Sequence, residues 1–499
     1  MATHDPTTYE TTARSATQRR EQRKVVAGTI IGTSIEWYDF FLYASAAGLV
    51  FNHLFFEPMG PQAATLVAFA TVGLSFLFRP LGAFLAGHFG DKYGRKVILM
   101  ITLITMGVAT ALIGMLPTFE TAGYMAPVLL VLLRILQGIS AGGEWGGAAL
   151  MSVEHAPVNR RGIYGASPQV GVPLGLLLAN GVLALMTVIA PGDAFLEWGW
   201  RIPFLLSVVL IVVGYFIRHG VEESPVFAQI SQRAAQTKAP LPELFRKHWP
   251  VVIVAALVFA GNGAVGYMTT GGFIQNYASN PAGPIGLERG TVLLAVTGSA
   301  MVWLAFTVVA GALSDAIGRR TAYIVGWIAQ LVGVALLFPM VNRGDALSLF
   351  FALAILSVGL GLTYGQQSAM YAELYPASIR FSGVSITYAL GSILGGAFAP
   401  TIAQALRQAT GGTTAIAIYL GAMTLVGLIA TLLLRDRSGI PLGPDHEAEQ
   451  AVSPLRGSRT CMVGAATRSQ SDARPLGSEF PCTRKDNGTG IVTRNTDRI

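Results

Sequence analysis

The amino-acid sequence predicts an all-α membrane protein of about twelve transmembrane helices in two six-helix halves. Three observations lead to this prediction: a high apolar content, apolar blocks of membrane-spanning length, and charged motifs that return half a chain later. Of the 499 residues, 52% are hydrophobic and 12% are charged, which is about half the charged fraction of an ordinary soluble domain. A helix crosses the hydrocarbon core with roughly 20 residues, and the apolar blocks reach that length.

Twelve spans are predicted from the apolar blocks, in two groups of six. The first six cover residues 25–50, 62–88, 97–116, 126–154, 163–190 and 201–219. The second six cover residues 250–277, 291–314, 321–340, 347–373, 383–406 and 414–434. The chain then divides into an N-terminal tail (1–24), a first half (25–219), a central loop (220–248), a second half (249–435) and a C-terminal tail (436–499). That last tail is rich in Gly, Ser, Thr, Pro and Arg and is predicted to be disordered.

Two motifs are repeated between the halves. The loop after the second span contains Gly87, Asp91, Gly94 and Arg95, and each returns 224 residues later, as Gly311, Asp315, Gly318 and Arg319. The motif Glu154-x-x-Pro157-x-x-x-Arg161 returns 219 residues later as Glu373-x-x-Pro376-x-x-x-Arg380. Two independent motifs thus return after nearly the same number of residues. This indicates similar halves in parallel orientation, an architecture found in secondary transporters.

Positive charge decides the predicted orientation. When both termini are placed inside, the inner loops and flanks up to Arg437 carry 20 Lys and Arg residues, and the outer loops carry 4. Cytoplasmic loops of membrane proteins carry the excess of Lys and Arg. The sequence therefore predicts a multi-pass protein of the plasma membrane with both termini in the cytoplasm. The net charge of +7 follows this topological pattern, which argues against binding to nucleic acid.

Several motifs resemble the major facilitator superfamily and, within it, the metabolite:proton symporter family. They are the repeated loop, Glu36–Phe40, Phe78–Gly82, Arg134–Gly138, Gly142–Gly147 and Trp198–Phe204. The resemblance covers roughly residues 20–436. It implies the major facilitator fold and a proton-coupled secondary active transporter, a symporter that works by alternating access.

The resemblance also limits the solute. The family includes carriers of shikimate, α-ketoglutarate, citrate, and proline or betaine. It therefore implies import of a small carboxylate-bearing solute, either an organic acid or an osmolyte such as proline or glycine betaine. The fifth span lacks the Gly-Pro pair followed by Gly-Gly that resembles a drug antiporter, which favours uptake. An exporter or exchanger of small organic solutes is the alternative.

Two carboxylates lie within the first predicted span. Glu36 and Asp39 are three residues apart and share one face of a helix, at a depth where an uncompensated charge costs about 2.5 kcal/mol or more. Arg134 in the fourth span is predicted at a compatible depth and can pair with Asp39. One interpretation is a proton switch, in which breaking this pair lets the carboxyl take a proton. The other is a permanent ion pair that fixes the helix register.

Two arginines are candidates for solute binding. The planar guanidinium of Arg134 suits a carboxylate, and Arg79 in the second span could contact an anion in the cavity. Arg79 could instead reach towards the cytoplasmic surface or bond to carbonyls freed by Pro80. Further polar and aromatic candidates are Tyr38, Tyr43, Gln137, Gln169, Tyr267, Tyr364 and Gln367, with Asn262, Gln275 and Tyr388. Each of these side chains could equally pack between helices.

The charged residues of the repeated loops are predicted to act as a gate. In the resembled superfamily, the aspartate of this loop holds the two halves together at a helix terminus and through nearby arginines. The resemblance implies gating roles for Gly87, Asp91, Gly94, Arg95, Asp315, Gly318 and Arg319. The alternative is that these charges only set the membrane topology.

Other classes of protein are disfavoured. The sequence contains no His, Cys, Asp or Glu cluster with metal-ligand spacing, no nucleophile motif and no nucleotide-binding loop. It predicts neither an enzyme nor a metal or other cofactor. A non-transporting membrane sensor is a remote alternative, because the C-terminal tail contains no recognisable domain. The expected partners are a small solute, protons and the lipid bilayer, while the oligomeric state does not follow from the sequence.

Overall fold

The computed structural model describes residues 6–93, 95–142, 144–219, 240–270, 272–281 and 283–456. Over these ranges the regular secondary structure is helical, apart from one isolated antiparallel bridge between Leu434 and Leu455. The prediction of an all-α fold is confirmed.

The first half contains six helices, of which the fourth is divided. They are α1 (Pro6–Ala46), α2 (Pro61–Tyr93), α3 (Arg95–Gly114), α4a (Met125–Ala141) with α4b (Glu144–Glu154), α5 (Arg161–Ile189) and α6 (Ser207–His219). A π-helical turn, Ala47–Phe51, continues α1 towards the outer loop. A second π-helical turn, Phe195–Gly199, and the short helix Arg201–Leu205 precede α6.

The second half repeats this arrangement with three divided helices. They are α7a (Trp249–Thr270) with α7b (Phe273–Ser279), α8 (Arg289–Ile317), α9 (Arg319–Val341), α10a (Ala346–Leu362) with α10b (Gln367–Leu374), α11a (Arg380–Gly391) with α11b (Ala399–Thr410), and α12 (Thr414–Leu433). A short helix, Pro240–Lys247, precedes α7a.

The helices are long and apolar enough for the predicted membrane crossings. Among the described residues, 10 helical runs meet both conditions of length and composition, and they coincide with ten of the predicted spans. The predicted span 97–116 coincides with α3. Its apolar part, Met100–Gly114, is shorter than those ten runs. The predicted span 25–50 lies within α1 and its π-helical continuation.

The two halves meet along two pairs of helices. α5 packs against α1 in its own half and against α8 in the other half, and α2 packs against α11. Small residues permit this close approach: a methyl group added to Gly175 would lie 2.7 Å from the backbone of Trp37, and one added to Gly311 would lie 2.8 Å from the Gly162 carbonyl oxygen. Glycine faces of this kind are common where membrane helices touch.

The sequence predicts four continuous helices where the structure has divided ones. In α7 the division falls at Gly272, whose φ of 95° is left-handed and open to glycine at little cost. The Gly272 carbonyl oxygen lies against Gly48 of the α1 continuation. Non-helical backbone is tolerated at membrane depth only where protein buries it, so a tertiary contact accounts for the break.

Gly272→Ala is expected to lower thermal stability. A left-handed φ costs an L-residue about 1–2 kcal/mol, and the added methyl would lie 2.3 Å from the Ala44 carbonyl oxygen. Thermal unfolding of the purified protein in detergent measures the loss. Gly181→Ala is the matched control, because a methyl group there meets no atom within 4 Å. Equal melting temperatures of the two variants would contradict the prediction.

The predicted disorder of the C-terminal tail is wrong for its first part. Residues 435–456, here called the strap, fold back on the end of the bundle. The Arg435 amide donates to the Pro454 carbonyl at 2.8 Å, and the Arg456 amide donates to Leu433 at 2.9 Å. Composition alone could not show this, because the polar groups of the strap find partners on distant helices. The remainder of the predicted tail, 457–499, lies outside the described residues.

Candidate functional site

Asp39 lies in the interior of the first half. Its side chain belongs to α1, is 1% exposed, and accepts a hydrogen bond from the Ser207 hydroxyl of α6 at 2.7 Å. Thr110 of α3 also neighbours this carboxylate. No cation of the described chain lies within ion-pair distance of Asp39. The helices α1, α3 and α6 thus surround the carboxyl with hydroxyl groups.

Arg134 does not pair directly with Asp39, which corrects the predicted contact. Its Nη1 donates to Gln137 Oε1 at 3.0 Å, and Gln137 Nε2 donates to the Thr110 hydroxyl at 2.7 Å. Two side chains therefore separate the guanidinium from the carboxylate. The sequence placed both groups at compatible depth but could not show that a glutamine and a threonine come between them.

The remaining donors of Arg134 are also used within the first half. Nε donates to the Thr71 carbonyl at 3.3 Å, and Nη2 donates to the Val72 carbonyl at 3.2 Å. The guanidinium carbon lies 4.1 Å from the ring centroid of Tyr43, whose hydroxyl donates to the Thr71 hydroxyl at 2.8 Å. Arg134 is 1% exposed, so it is fully engaged in this conformation.

Glu36 pairs with Arg79 instead, at the contact between the halves. Arg79 Nη2 lies 3.6 Å from Glu36 Oε1, and both side chains are buried. The guanidinium carbon lies 4.6 Å from the ring centroid of Phe76 and 5.5 Å from that of Trp37. Arg79 thus lies inside the bundle beside Glu36, as the cavity interpretation of the sequence requires.

Tyrosines of the second half face this ion pair. The ring of Tyr267 stacks on Trp37 with centroids 5.9 Å apart, and the side chains of Tyr364 and Tyr388 neighbour both Tyr267 and the Glu36–Arg79 pair. We call these six residues the central cluster: Glu36, Trp37, Arg79, Tyr267, Tyr364 and Tyr388. It combines one anion, one cation and several aromatic rings at the junction of the two halves.

Two predicted glutamines join the halves next to the central cluster. Trp145 Nε1 donates to Gln169 Oε1 at 3.0 Å. Gln169 Nε2 lies 3.4 Å from Gln367 Oε1 and donates to the Tyr364 carbonyl at the same distance. The ring of Trp145 stacks on Tyr388 at 3.7 Å. The structure therefore brings Gln169, Gln367, Tyr267 and Tyr364 together.

Other predicted candidates lie elsewhere. The Tyr38 hydroxyl donates to the Pro203 carbonyl at 2.7 Å, so it faces the short helix Arg201–Leu205 and does not join the central cluster. Tyr43 and Gln137 belong to the surroundings of Arg134. Asn262 donates to the Thr363 hydroxyl at 2.6 Å within the second half. Gln275 lies 3.5 Å from the Ser45 hydroxyl on the other side of the interface. Sequence gives the span of such residues but not the face they occupy.

Asp315 joins the two halves at one end of the bundle. Asp315 follows the transmembrane part of α8 and accepts hydrogen bonds from the amides of Gly162 at 2.7 Å and Ile163 at 2.9 Å. These amides belong to the N-terminus of α5, where the helix dipole favours an anion. Arg319 pairs with Asp315 at 2.6 Å. The second half therefore holds the first half through a helix terminus.

A pair of reciprocal ion pairs crosses the same end. Glu373 of the second half lies 3.8 Å from Arg161 of the first, and Glu154 of the first half lies 3.6 Å from Arg380 of the second. Arg319 also binds Glu373, at 3.2 Å. We call these residues, with Asp315, the gate. These residues form the second repeated motif of the sequence, and the presence of Glu and Arg at equivalent positions of both halves is the signal that could have predicted their contact.

The side chains of the first copy of the repeated loop lie outside the described residues. Gly94 lies outside the described residues, as do the side chains of Asp91 and Arg95. Gly87 belongs to the same stretch. In the second copy, Gly318 has a φ of 87° and separates α8 from α9.

The strap binds the gate arginines. Arg161 Nη1 donates to the Ile440 carbonyl, and Arg380 Nη1 donates to the Leu442 carbonyl at 2.9 Å. Arg380 Nη2 donates to Gln450 Oε1 at 2.9 Å. The strap therefore contacts an arginine from each half.

Gln450→Ala is expected to loosen the strap and lower the melting temperature. The Gln450 side chain is 2% exposed and also accepts from the Ala377 amide at 2.8 Å; leaving such buried partners unsatisfied costs about 1–3 kcal/mol each. Thermal unfolding in detergent checks this. Glu449→Gln is the control, because the Glu449 side chain is 63% exposed. A melting temperature unchanged in both variants would show that the strap contributes little.

The opposite end of the bundle is closed as well. Asn276 Nδ2 of α7b donates to the Gly48 carbonyl at 2.9 Å, and Gln408 Nε2 of α11b donates to the Gln62 carbonyl at 3.1 Å. A void beside Thr269 and Trp303 has a volume of about 10 Å³, enough for roughly one water molecule. The structure is an occluded conformation in which the halves touch at both ends.

Comparison with known proteins agrees with this architecture. The family model "Sugar (and other) transporter" matches residues 25–251, and the "Major Facilitator Superfamily" model matches residues 271–472. The "Inner membrane metabolite transport protein YhjE" of Escherichia coli (strain K12) is 40% identical over 420 residues, covering 83% of this chain and 94% of the relative. The chain belongs to the major facilitator superfamily.

Other members of the superfamily place the chain among metabolite transporters. The shikimate transporter of Escherichia coli (strain K12) is 40% identical over 428 residues, covering 83% of this chain and 94% of the relative. The proline/betaine transporter of the same strain is 31% identical over 451 residues, 88% of each chain. A solved structure of the proton:xylose symporter XylE has a TM-score of 0.68 at 16% identity, covering 85% of this chain and 98% of that one. That likeness shows the shared fold.

These relatives settle the broad class of the protein. It is a multi-pass membrane transporter of small metabolites and not an enzyme, as the sequence predicted. The resemblance to metabolite transporters of the major facilitator superfamily and the two-half fold are confirmed.

Proposed function

We propose that this major facilitator protein is a proton-coupled symporter that imports a small carboxylate-bearing solute across the plasma membrane. The observation that carries the proposal is the central cluster, where Arg79 and Glu36 lie buried between the halves and face three tyrosines. A cation in a membrane interior marks a substrate or ion pathway. Arginine suits a carboxylate because its N–H groups match the two carboxylate oxygens.

Asp39 is proposed to carry the coupled proton. It is buried among hydroxyl groups, with no cation of the described residues at ion-pair distance, and such surroundings disfavour a charged carboxylate. Arg134 is linked to it through Gln137 and Thr110. A shift of α4 against α1 would change this link, so that proton binding and conformation depend on each other.

The gate is proposed to close the cytoplasmic end during alternating access. The excess of Lys and Arg in the loops at this end supports the orientation with both termini in the cytoplasm. Ion pairs between halves have to separate when this end opens, and the contacts of Asn276 with Gly48 have to separate when the other end opens. The two sets of contacts would then alternate.

Two classes of solute fit the proposal. Organic acids and zwitterionic osmolytes both present a carboxylate, and relatives named for shikimate and for proline/betaine belong to the same superfamily. Both classes therefore belong in the test.

Uptake into proteoliposomes under an imposed inward proton gradient tests the proposal. The panel contains shikimate, α-ketoglutarate, citrate, proline and glycine betaine. Accumulation of one of them, abolished by a protonophore, is expected. Exchange without gradient-driven accumulation, or accumulation only with the opposite gradient, would favour an exchanger or exporter and overturn the symport proposal.

A further inference from the structure

Arg79 has more hydrogen-bond donors than its surroundings satisfy. Its side chain is 3% exposed, and Nε has no hydrogen-bond partner in the part of the chain that the structure describes. The contact with Glu36 is 3.6 Å long, beyond normal hydrogen-bond distance. Arg134 is the internal comparison, because its Nε, Nη1 and Nη2 all donate to oxygens. Arg134 therefore uses all three of its nitrogens as donors, and Arg79 does not.

Further donors around Arg79 also lack acceptors. The Tyr388 hydroxyl and Trp37 Nε1 are buried without a hydrogen-bond partner among the described residues. Both belong to the central cluster. Buried polar groups are normally hydrogen-bonded, and exceptions call for an explanation such as a missing ligand. With Arg79 Nε, the central cluster thus contains three groups that can donate, and a ligand with acceptor oxygens would satisfy them.

The aromatic faces of the cluster are already occupied. Trp37 is covered by Tyr267 and by the Arg79 guanidinium, and Trp145 lies 3.7 Å from Tyr388 in a stacked arrangement. A quaternary ammonium is bound by open aromatic faces. The cluster therefore favours an anionic acid over a zwitterion.

We propose that the carboxylate of an anionic organic acid replaces Glu36 at Arg79, and that Glu36 takes up one proton as it is displaced. This inference rests on the proposed function. The proton comes from water at the open end and bonds to a Glu36 carboxylate oxygen, while the acid enters ionised. The cluster then has no net charge before or after binding: Arg79 is balanced first by Glu36 and then by the solute.

Charge balance is the physical reason for the exchange. With the acid bound and Glu36 still ionised, two carboxylates would share one guanidinium in a buried site, where an unpaired charge is costly. The groups that face Glu36 are Arg79 from α2 and the hydroxyls of Tyr267, Tyr364 and Tyr388. Asp39 lies further along the same helix, where α4b contributes Glu144. Arg79 is the cation that pairs with Glu36 at 3.6 Å.

Calorimetric titration with shikimate and with glycine betaine tests the exchange. Titrations at pH 7.5 in two buffers of different ionisation enthalpy give the number of protons taken up for each solute bound. The wild type is expected to bind shikimate with uptake of about one proton, and its affinity is expected to fall about tenfold per pH unit at higher pH, as one-proton linkage requires. Glu36→Gln is expected to bind shikimate without proton uptake, and Arg79→Gln is expected to lose binding.

Other variants separate this inference from the proposed function. Asp39→Asn is expected to keep the proton uptake on binding, because its carboxyl does not contact Arg79. Wild-type binding without proton uptake, or the same uptake in Glu36→Gln, would overturn the exchange while leaving symport through Asp39 intact. Tighter binding of glycine betaine than of shikimate would overturn the choice of an anionic acid. Failure of folded protein to bind either solute, or any carboxylate of the uptake panel, would overturn both proposals.

Discussion

Asp39→Asn is expected to lower solute accumulation driven by a proton gradient while leaving exchange across the membrane. The asparagine amide can still accept from the Ser207 hydroxyl, so the fold around α1 and α6 is kept, but it cannot gain or lose a proton. Without the Asp39 proton, only the proton proposed for Glu36 can move with the solute, and the ratio of internal to external solute is expected to fall about tenfold for each pH unit of gradient. Uptake and counterflow in proteoliposomes measure the two activities separately.

Controls make this prediction specific to Asp39. Asp345→Asn alters a carboxylate far from the central cluster, since Asp345 caps α10a by accepting from the Ser348 amide at 2.8 Å. That hydrogen bond holds the pKa of Asp345 below its usual range, so the group stays ionised at neutral pH and has no proton to supply. Gradient-driven accumulation is expected to survive in that variant. An accumulation ratio that is unchanged in Asp39→Asn would show that Asp39 carries no coupled proton.

Glu373→Gln is expected to shift the protein towards conformations open at the gate end. Glu373 accepts from Arg319 Nε at 3.2 Å and pairs with Arg161 at 3.8 Å. Removing one partner of a buried ion pair costs roughly 3–5 kcal/mol at most. Because Glu373 and Arg161 belong to different halves, part of that cost destabilises the conformation in which the gate is closed. A coupling change of about 1–3 kcal/mol corresponds to a shift of about 5- to 150-fold in the population ratio.

Spin labels on the two halves can detect this shift. Val158 in the first half and Ile317 in the second are exposed at the gate end and can be replaced by cysteine after Cys461 and Cys482 are changed to serine. Distances between the two spin labels, measured by electron–electron double resonance, should include a larger population of long distances in Glu373→Gln. Glu120→Gln, an exposed position at the other end, is the control. Identical distance distributions in the two variants would remove Glu373 from the gate.

The transmembrane helices could be predicted because their signal is local. An apolar run of about 20 residues has few alternatives to a spanning helix, so α8 and α9 follow almost directly from the sequence. The breaks in α7 and α11 could not be predicted in the same way. Gly272 adopts its conformation because another helix approaches it, and the π-helical turn Ser392–Gly396 divides α11 where the apolar run continues unchanged.

The candidate site could be predicted by residue type but not by partner. Charges at membrane depth are few, so Glu36, Asp39, Arg79 and Arg134 could be selected as candidates from the sequence. Their pairing depends on how α1, α2 and α4 are rotated. The rotation of each helix also decides which side chains face the central cluster. Tyr267 does so, whereas Tyr38 faces Pro203.

The contacts of the gate could have been predicted from a repeated motif in the sequence. The repeat of Glu and Arg, one motif in each half, becomes a reciprocal exchange when two similar halves face each other. A glutamate in the last turn of a helix in one half meets the arginine that begins the next helix in the other. Internal repeats of charged motifs thus predict contacts as well as topology.

The position of the strap in the chain has a consequence for biosynthesis. Chains acquire structure from the N-terminus during synthesis, and the strap follows every transmembrane helix. Arg380 can bond to Gln450, and Arg161 to Ile440, only after the twelfth helix has been made. While the second half is being inserted, the two bundles therefore remain free to adjust to each other. The contacts of the strap with both halves form last.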